Sequence, residues 1–278
     1  MSSNNLQDSP RFTFQLHGDL HLWSPQRKAN LIDELRACAA LCLDPLPEYQ
    51  CLSRSPTSLD DKIITIARYD APTGPIAAFT SAVRFSIPSP VTSEPPLEIL
   101  HTGLTCIAPE ARSSGLSVVL HAHTFRYMVD QHPSGFWFTS IAEVPSSLVN
   151  LARYGIQVYP APFEPSPPSN LHLHIARFLS NSRELRDAMM ISPEAVFDED
   201  HFVFKGSNAP GSCFRKDSDD ARWHHRDRAY TDFYRRLLGH NEGNEVLQVG
   251  RMTAERVAVT IGQENRLRSV KAPTKTRL

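Results

Sequence analysis

The order of elements legible in this chain predicts an α+β fold with an elaborated C-terminal region. Three observations carry that expectation. Strand-length apolar or alternating runs recur through the first part of the chain. Amphipathic stretches of helical period lie between them. A long strand also turns abruptly into a helix at Ala108–Ala111. The predicted order is β-α-β-β-β-α-β-α-β, followed by a less regular remainder.

Arg11–His17 alternates and reads as a first strand after a polar start, Met1–Pro10. Ser24-Pro25 pairs an N-cap with proline at the first helical position. A helix is expected from there to about Cys42, with Leu31, Leu35, Cys38 and Leu41 as its buried stripe. Asp44-Pro45 and Pro47 end it. Lys62–Tyr69 and Pro75–Phe85 read as strands joined by the turn residues Asp70–Gly74. A proline-rich loop leads into the strand Leu97–Ile107. A helix is expected over Arg112–Gln131, a strand over Phe136–Ile141, and a short helix over Pro145–Tyr154 with Gly155 as its C-cap. Ile156–Tyr159 begins another strand.

Beyond Pro160–Pro168 the expectations are a helix over Leu171–Met190 and a strand signal ending Ala195–Phe204. A polar loop, a helix over Arg222–Leu238 and a last strand at Val246–Val249 follow. The Lys/Arg-rich tail from Glu264 reads as mobile. The expected division is a domain over 11–205, an extension over 206–263 packed on it, and the tail 264–278.

Composition narrows the function classes. Hydrophobic residues are 41% and charged residues 21%, enough for a sizeable core. A net charge of −1 offers no global field for nucleic acid. No run is long and apolar enough for a membrane helix, and no signal peptide is evident. Five scattered cysteines without a Cys-x-x-Cys pair read as reduced thiols of a cytoplasmic protein.

The most informative stretch is Leu104–Ser117. A strand runs into a helix that opens with small residues. Free N–H groups at a helix start, aided by the helix dipole, bind anions. Gly115 gives a phosphate close approach, Ser113 and Ser114 can add hydroxyl donors, and Arg112 can add charge. Arg112-Ser113-Ser114-Gly115-Leu116-Ser117 resembles the acyl-CoA-binding motif of the GCN5-related N-acetyltransferase (GNAT) family, Arg/Gln-x-x-Gly-x-Gly/Ala. Ile107–Ala111 looks like that family's strand end, and Ala152–Ile156 like its short helix before a Gly-aromatic strand start. The resemblance spans roughly 11–165. It implies a mixed, mostly antiparallel sheet flanked by helices. It also implies acetyl-CoA or another acyl-CoA as cofactor, with pantetheine between two splayed strands along Thr105, Cys106 and Ile107.

Three positions depart from the family pattern. Ser117 stands in place of Gly or Ala. Leu151 and Val144 stand where the family often offers a tyrosine, to protonate the leaving thiolate, and an asparagine. Acyl transfer also needs a base. Glu98 and His101 lie on the strand before the loop, on opposite faces. The resemblance favours Glu98, and the intrinsic pKa of histidine suits His101.

No metal is expected. His121 and His123 diverge on a helix, and His172 and His174 lack a Cys or carboxylate partner at ligand spacing. Trp223-His224-His225-Arg226 reads as an interface or core edge. Nucleophile-elbow, Walker and dinucleotide motifs are absent. The leading expectation is an acyltransferase for a small amine or hydroxyl compound, with a homodimer as one use of the C-terminal part. Two alternatives stand beside it: decarboxylation or rearrangement of a biosynthetic intermediate on the same fold, and a non-catalytic CoA-binding module.

Overall fold

The computed structural model describes residues 12–163 and 166–259. Met1–Pro10, Arg11, and the basic tail with its terminal Thr-Arg-Leu lie outside the described residues.

The first strand is β1, Phe12–His17. Helix α1 spans Pro25–Ala39, capped by the Ser24 side chain, which accepts from the Arg27 N–H. It stops short of Cys42, which lies in the turn beyond it. Strands β2 (Lys62–Tyr69), β3 (Ile76–Ile87) and β4 (Leu97–Ile107) form an antiparallel meander with β1. Helix α2 is Leu116–Gln131 and β5 is Phe136–Ala142. Helix α3 is Pro145–Tyr154 and β6 is Ile156–Tyr159.

The remainder is more broken than its sequence suggests. Leu171–Met190 divides into α4 (Asn170–Asn181) and α5 (Arg183–Ala188). The segment Ala195–Phe204 becomes most of a hairpin of β7 (Val196–Asp198) and β8 (Val203–Lys205). The expected helix from Arg222 begins only at α6, Arg228–Leu238; Ala221–Trp223 form a separate 3-10 turn. The last strand, β9, is Glu245–Met252.

All nine described strands belong to one sheet, in the order β1-β2-β3-β4-β5-β9-β8-β7, with β6 also on β9. Strand β9 is central, pairing along β5 from Ala142↔Val246 to Phe136↔Met252. A boundary at 205/206 therefore runs through a single sheet. Only β4 and β5 run parallel among the described pairs. This is the mixed, mostly antiparallel α+β sheet expected, of GNAT-like form.

Alternate residues divide the two faces. On β4, Ile99 packs with Ile175 and Leu179 of α4, whereas Leu100 packs with Phe125 and Met128 of α2. On β2, Ile66 faces α1 and Ala67 faces α2. A bulge in β4 between Thr102 and Thr105 shifts the alternation by one residue. Cys106 thereby joins the α1 side, and α1 and α4 share one face. Helices α2, α3 and α6 cover the other. Phe138, fully buried on β5, holds the centre of that second face. Gly155 and Gly250 make room for it: a Cβ on either would come within 2.7 Å of the Phe138 ring. Gly155 is thus required for packing. Its backbone is extended, not left-handed as a helix-terminating glycine would be.

Candidate functional site

Strands β4 and β5 pair only over Ile99–Thr102 and Trp137–Ser140. Beyond that point they part. Strand β4 continues to Ile107 against β3, and β5 continues to Ala142 against β9. The freed edge of β4 lines a cleft of about 790 Å³. The bulge sits at the fork. Gly103 is needed there, because a Cβ would lie 2.9 Å from the Ser81 carbonyl oxygen and 2.6 Å from Gln50 Oε1.

The wide end of the cleft is closed by the loop before α2. Pro109–Ala111 makes a 3-10 turn, so α2 starts at Leu116 rather than Arg112. Gly115 is its N-cap, with φ +82°, and nothing approaches the Cβ position within 4 Å. The glycine answers a left-handed backbone and leaves open space at the helix start. Ser113 also has positive φ, at 62°. The Ser114 hydroxyl donates to the Ala111 carbonyl at 2.5 Å, which ties the turn together. Leu116 is buried in the core with Ala111 and Leu120. Arg112 and Ser117 line the cleft; Ser113, Ser114, Gly115 and Leu116 do not. Ser117 is held from two sides. Its Oγ accepts from Asn150 Nδ2 at 3.1 Å, and its carbonyl accepts from His121 Nδ1 at 2.7 Å. Asn150 and His121 also line the cleft.

Thr105, Cys106 and Ile107 lie along the freed edge. The Thr105 hydroxyl pairs with Thr80 at 2.9 Å. Cys42 enters from the α1 side, its thiol 3.2 Å from the Ile107 carbonyl. Contact with Cys106, the Ile107 backbone and the Arg112 guanidinium lower its pKa against the effect of burial. Burial pushes Cys38 up to about 12.

The two candidate bases part company. His101 lines the cleft at the fork, 3% exposed, with Nδ1 3.0 Å from the Thr139 hydroxyl. Burial, then the Lys62 charge, lowers its pKa to about 4, so it is neutral at physiological pH. Glu98 is not among the cleft residues; the Ser86 hydroxyl donates to it at the far end of β4.

The face carrying α1 and α4 holds groups that sequence reasoning missed. Glu143 directly follows β5 and Glu245 opens β9, each just beyond the last β5–β9 pair, Ala142↔Val246. Both line the cleft, with Tyr49, Asn208 and Lys216. Burial raises both carboxyl groups, Glu245 to about 7. Burial also raises the Tyr49 phenol. Leu151 and Val144 line the cleft as apolar groups, and Trp223 reaches it too.

His172 and His174 lie on a helix, not a strand. His172 completes a capping box with Ser169, and its Nε2 meets the Gln157 carbonyl at 2.6 Å; His174 Nε2 meets the Pro88 carbonyl at 2.7 Å. Among the described residues, no group of three or more His, Cys, Asp or Glu is placed to hold a metal ion. No helix among them is long and apolar enough to cross a membrane.

A meander leading to a parallel pair that parts, with a glycine-opened helix at the wide end, defines a GNAT-like α+β fold. Solved structures similar to this chain are GNAT-family acetyltransferases. One is aminoglycoside N-acetyltransferase AAC(6')-Iy in complex with CoA: 14% identity, 45% of this chain and 74% of that one, TM-score 0.30. Another is the GNAT family N-acetyltransferase YhbS from Escherichia coli in complex with CoA: 10% identity, 49% and 64% coverage, TM-score 0.35. A third is Arabidopsis thaliana NAA60 in complex with acetyl-CoA: 12% identity, 53% and 87% coverage, TM-score 0.37. At these values the fold rests on the chain's own strand order. No protein-family model matches the sequence, and no curated protein does.

Proposed function

We propose that this chain is an acyl-CoA-dependent acyltransferase acting on a small-molecule acceptor. The observation that carries the reading is the parting of β4 from β5, with the Arg112–Ser117 loop at the wide end. A pantetheine arm inserted there takes the place of the missing β5 partner and pairs with backbone groups at Thr105–Ile107. The pyrophosphate meets the α2 N-terminus, the open space at Gly115 and the Arg112 charge. The thioester then reaches the fork beside His101. Helices α2 and α3 flank the cofactor side, and the face bearing Tyr49, Glu143 and Glu245 receives the acceptor.

The test is calorimetric titration with acetyl-CoA and free CoA. The wild type is expected to bind both saturably, and Gly115→Glu to abolish binding by placing bulk and negative charge against the phosphates. No binding by the wild type overturns the reading. The apolar Leu151 and Val144 favour one second reading, decarboxylation or rearrangement in the same cleft. Bound acetyl-CoA that releases no thiol with any acceptor favours that reading.

A further inference from the structure

This inference rests on the acyltransferase reading. We propose that Glu245 is the catalytic base that takes the proton of an amine acceptor, and that Glu143 is its positioning residue.

The two carboxylates come from strands far apart in sequence. They come together in the cleft around Asn208, whose Nδ2 donates to Glu143 at 3.1 Å and whose side chain also bonds Glu245. Their engagement differs. Glu143 is 4% exposed and both its oxygens are committed: Oε1 accepts from the Gly243 N–H, and Oε2 from Asn208 Nδ2 at 3.1 Å. Glu245 is half-buried and lines the cleft; its Oε2 accepts from the Ser207 hydroxyl at 2.5 Å. A carboxylate has about four lone-pair sites, so Glu245 keeps capacity toward the cleft.

Burial raises the pKa of Glu245, the bonds from Ser207 and Asn208 oppose that rise, and the Glu143 charge adds to it. Glu143 acts on Glu245 from the bend after β5, Tyr49 approaches from the segment after α1, and Ser207 and Asn208 bond it from the loop after β8. The Lys216 backbone bonds Glu143, and Arg215, near Glu143, is held by Glu242 at 3.2 Å. Desolvation disfavours the charged carboxylate, and a second carboxylate nearby adds to the effect. Glu245 therefore titrates near neutrality, where a base is most effective. His101, with its pKa near 4, is a far weaker base.

In the step, the amine nitrogen adds to the thioester carbonyl and its proton passes to Glu245. The C–S bond breaks with the electron pair leaving on sulfur. The sulfur takes a proton from solvent, and Glu245 returns to solvent the proton it accepted, so the base is regenerated and the protons balance.

The experiment follows thiol release from acetyl-CoA with ethanolamine, tyramine and spermidine as probes, from pH 5 to 9. The wild type is expected to acylate at least one probe, with kcat rising through an apparent pKa of about 7. Glu245→Gln is expected to lose roughly 100-fold or more in kcat and the pH limb with it, while acetyl-CoA affinity stays unchanged. Glu143→Gln is expected to displace the limb and cost less. A limb retained in Glu245→Gln overturns the assignment. So does a wild type that binds acetyl-CoA and acylates no amine. A wild type that does not bind acetyl-CoA defeats the underlying reading instead. Should Glu245→Gln fail to fold, Glu245→Asp decides: a reduced kcat with a shifted limb supports the base, and wild-type kcat with an unmoved limb overturns it.

Discussion

The two walls of the cleft are built in opposite ways. The wall at the α2 N-terminus is local: Ile107 to Ser117 is one continuous turn, and Arg112, Gly115 and Ser117 take their places from it. The wall opposite is assembled from distant segments. Tyr49 follows α1, Glu143 follows β5, Asn208 follows β8, and Glu245 opens β9. The local wall keeps its polar groups tied down or in solvent. The assembled wall buries carboxyl groups at a cost in stability, as sites poised for proton transfer do. The predictions below test that contrast, starting with the largest effect.

The first concerns the cost at Glu245. A carboxyl group has an ordinary pKa near ~4.3 in the unfolded chain. In the folded chain Glu245 sits at about 7. The folded state therefore binds the extra proton, and stability falls as pH rises between those values. Glu245→Gln is expected to gain on the order of 2 kcal/mol at pH 8 relative to the wild type, and nothing at pH 4. Urea denaturation at the two pH values measures it. Equal differences at both would mean that no penalty is stored at Glu245.

The same contrast explains what the sequence disclosed. Strands β2 and β4 and helix α3 could be bounded from the sequence alone, because each is a run of one period closed by turn residues. The strand-to-helix loop Arg112–Ser117 was legible because its residues are consecutive. The opposite wall was not. Glu143 and Glu245 look like ordinary surface acids until β9 is placed between β5 and β8, and nothing in Val246–Val249 announces a central strand. Glu98 shows the reverse case. It has the right chemistry on the right strand, but lies on the paired side of the fork. Pairing distance, not residue type, separates it from His101.

Gly115→Ala separates two uses of the glycine. At φ +82° an L-residue is strained by about 1–2 kcal/mol, although its Cβ meets nothing. The variant is expected to lose roughly that much stability and to keep much of its acetyl-CoA affinity. Calorimetry beside thermal unfolding checks both. If Ala abolishes binding as fully as Glu, close backbone approach is the decisive role. If Ala binds well, charge and bulk explain the loss in Gly115→Glu.

The smallest expected effect lies at the joint between α3 and α2. Asn150 Nδ2 donates to Ser117 Oγ, which leaves the Ser117 proton to be directed into the cleft. Asn150→Ala removes one such bond, worth about 1 kcal/mol. Acetyl-CoA affinity is expected to fall by roughly fivefold, with the fold scarcely changed. Ser117→Ala is expected to cost a similar amount, and the double variant little more than either, because the two act through one bond. Additive losses would show that each side chain meets the ligand separately. The local wall would then share the modular character of the opposite wall.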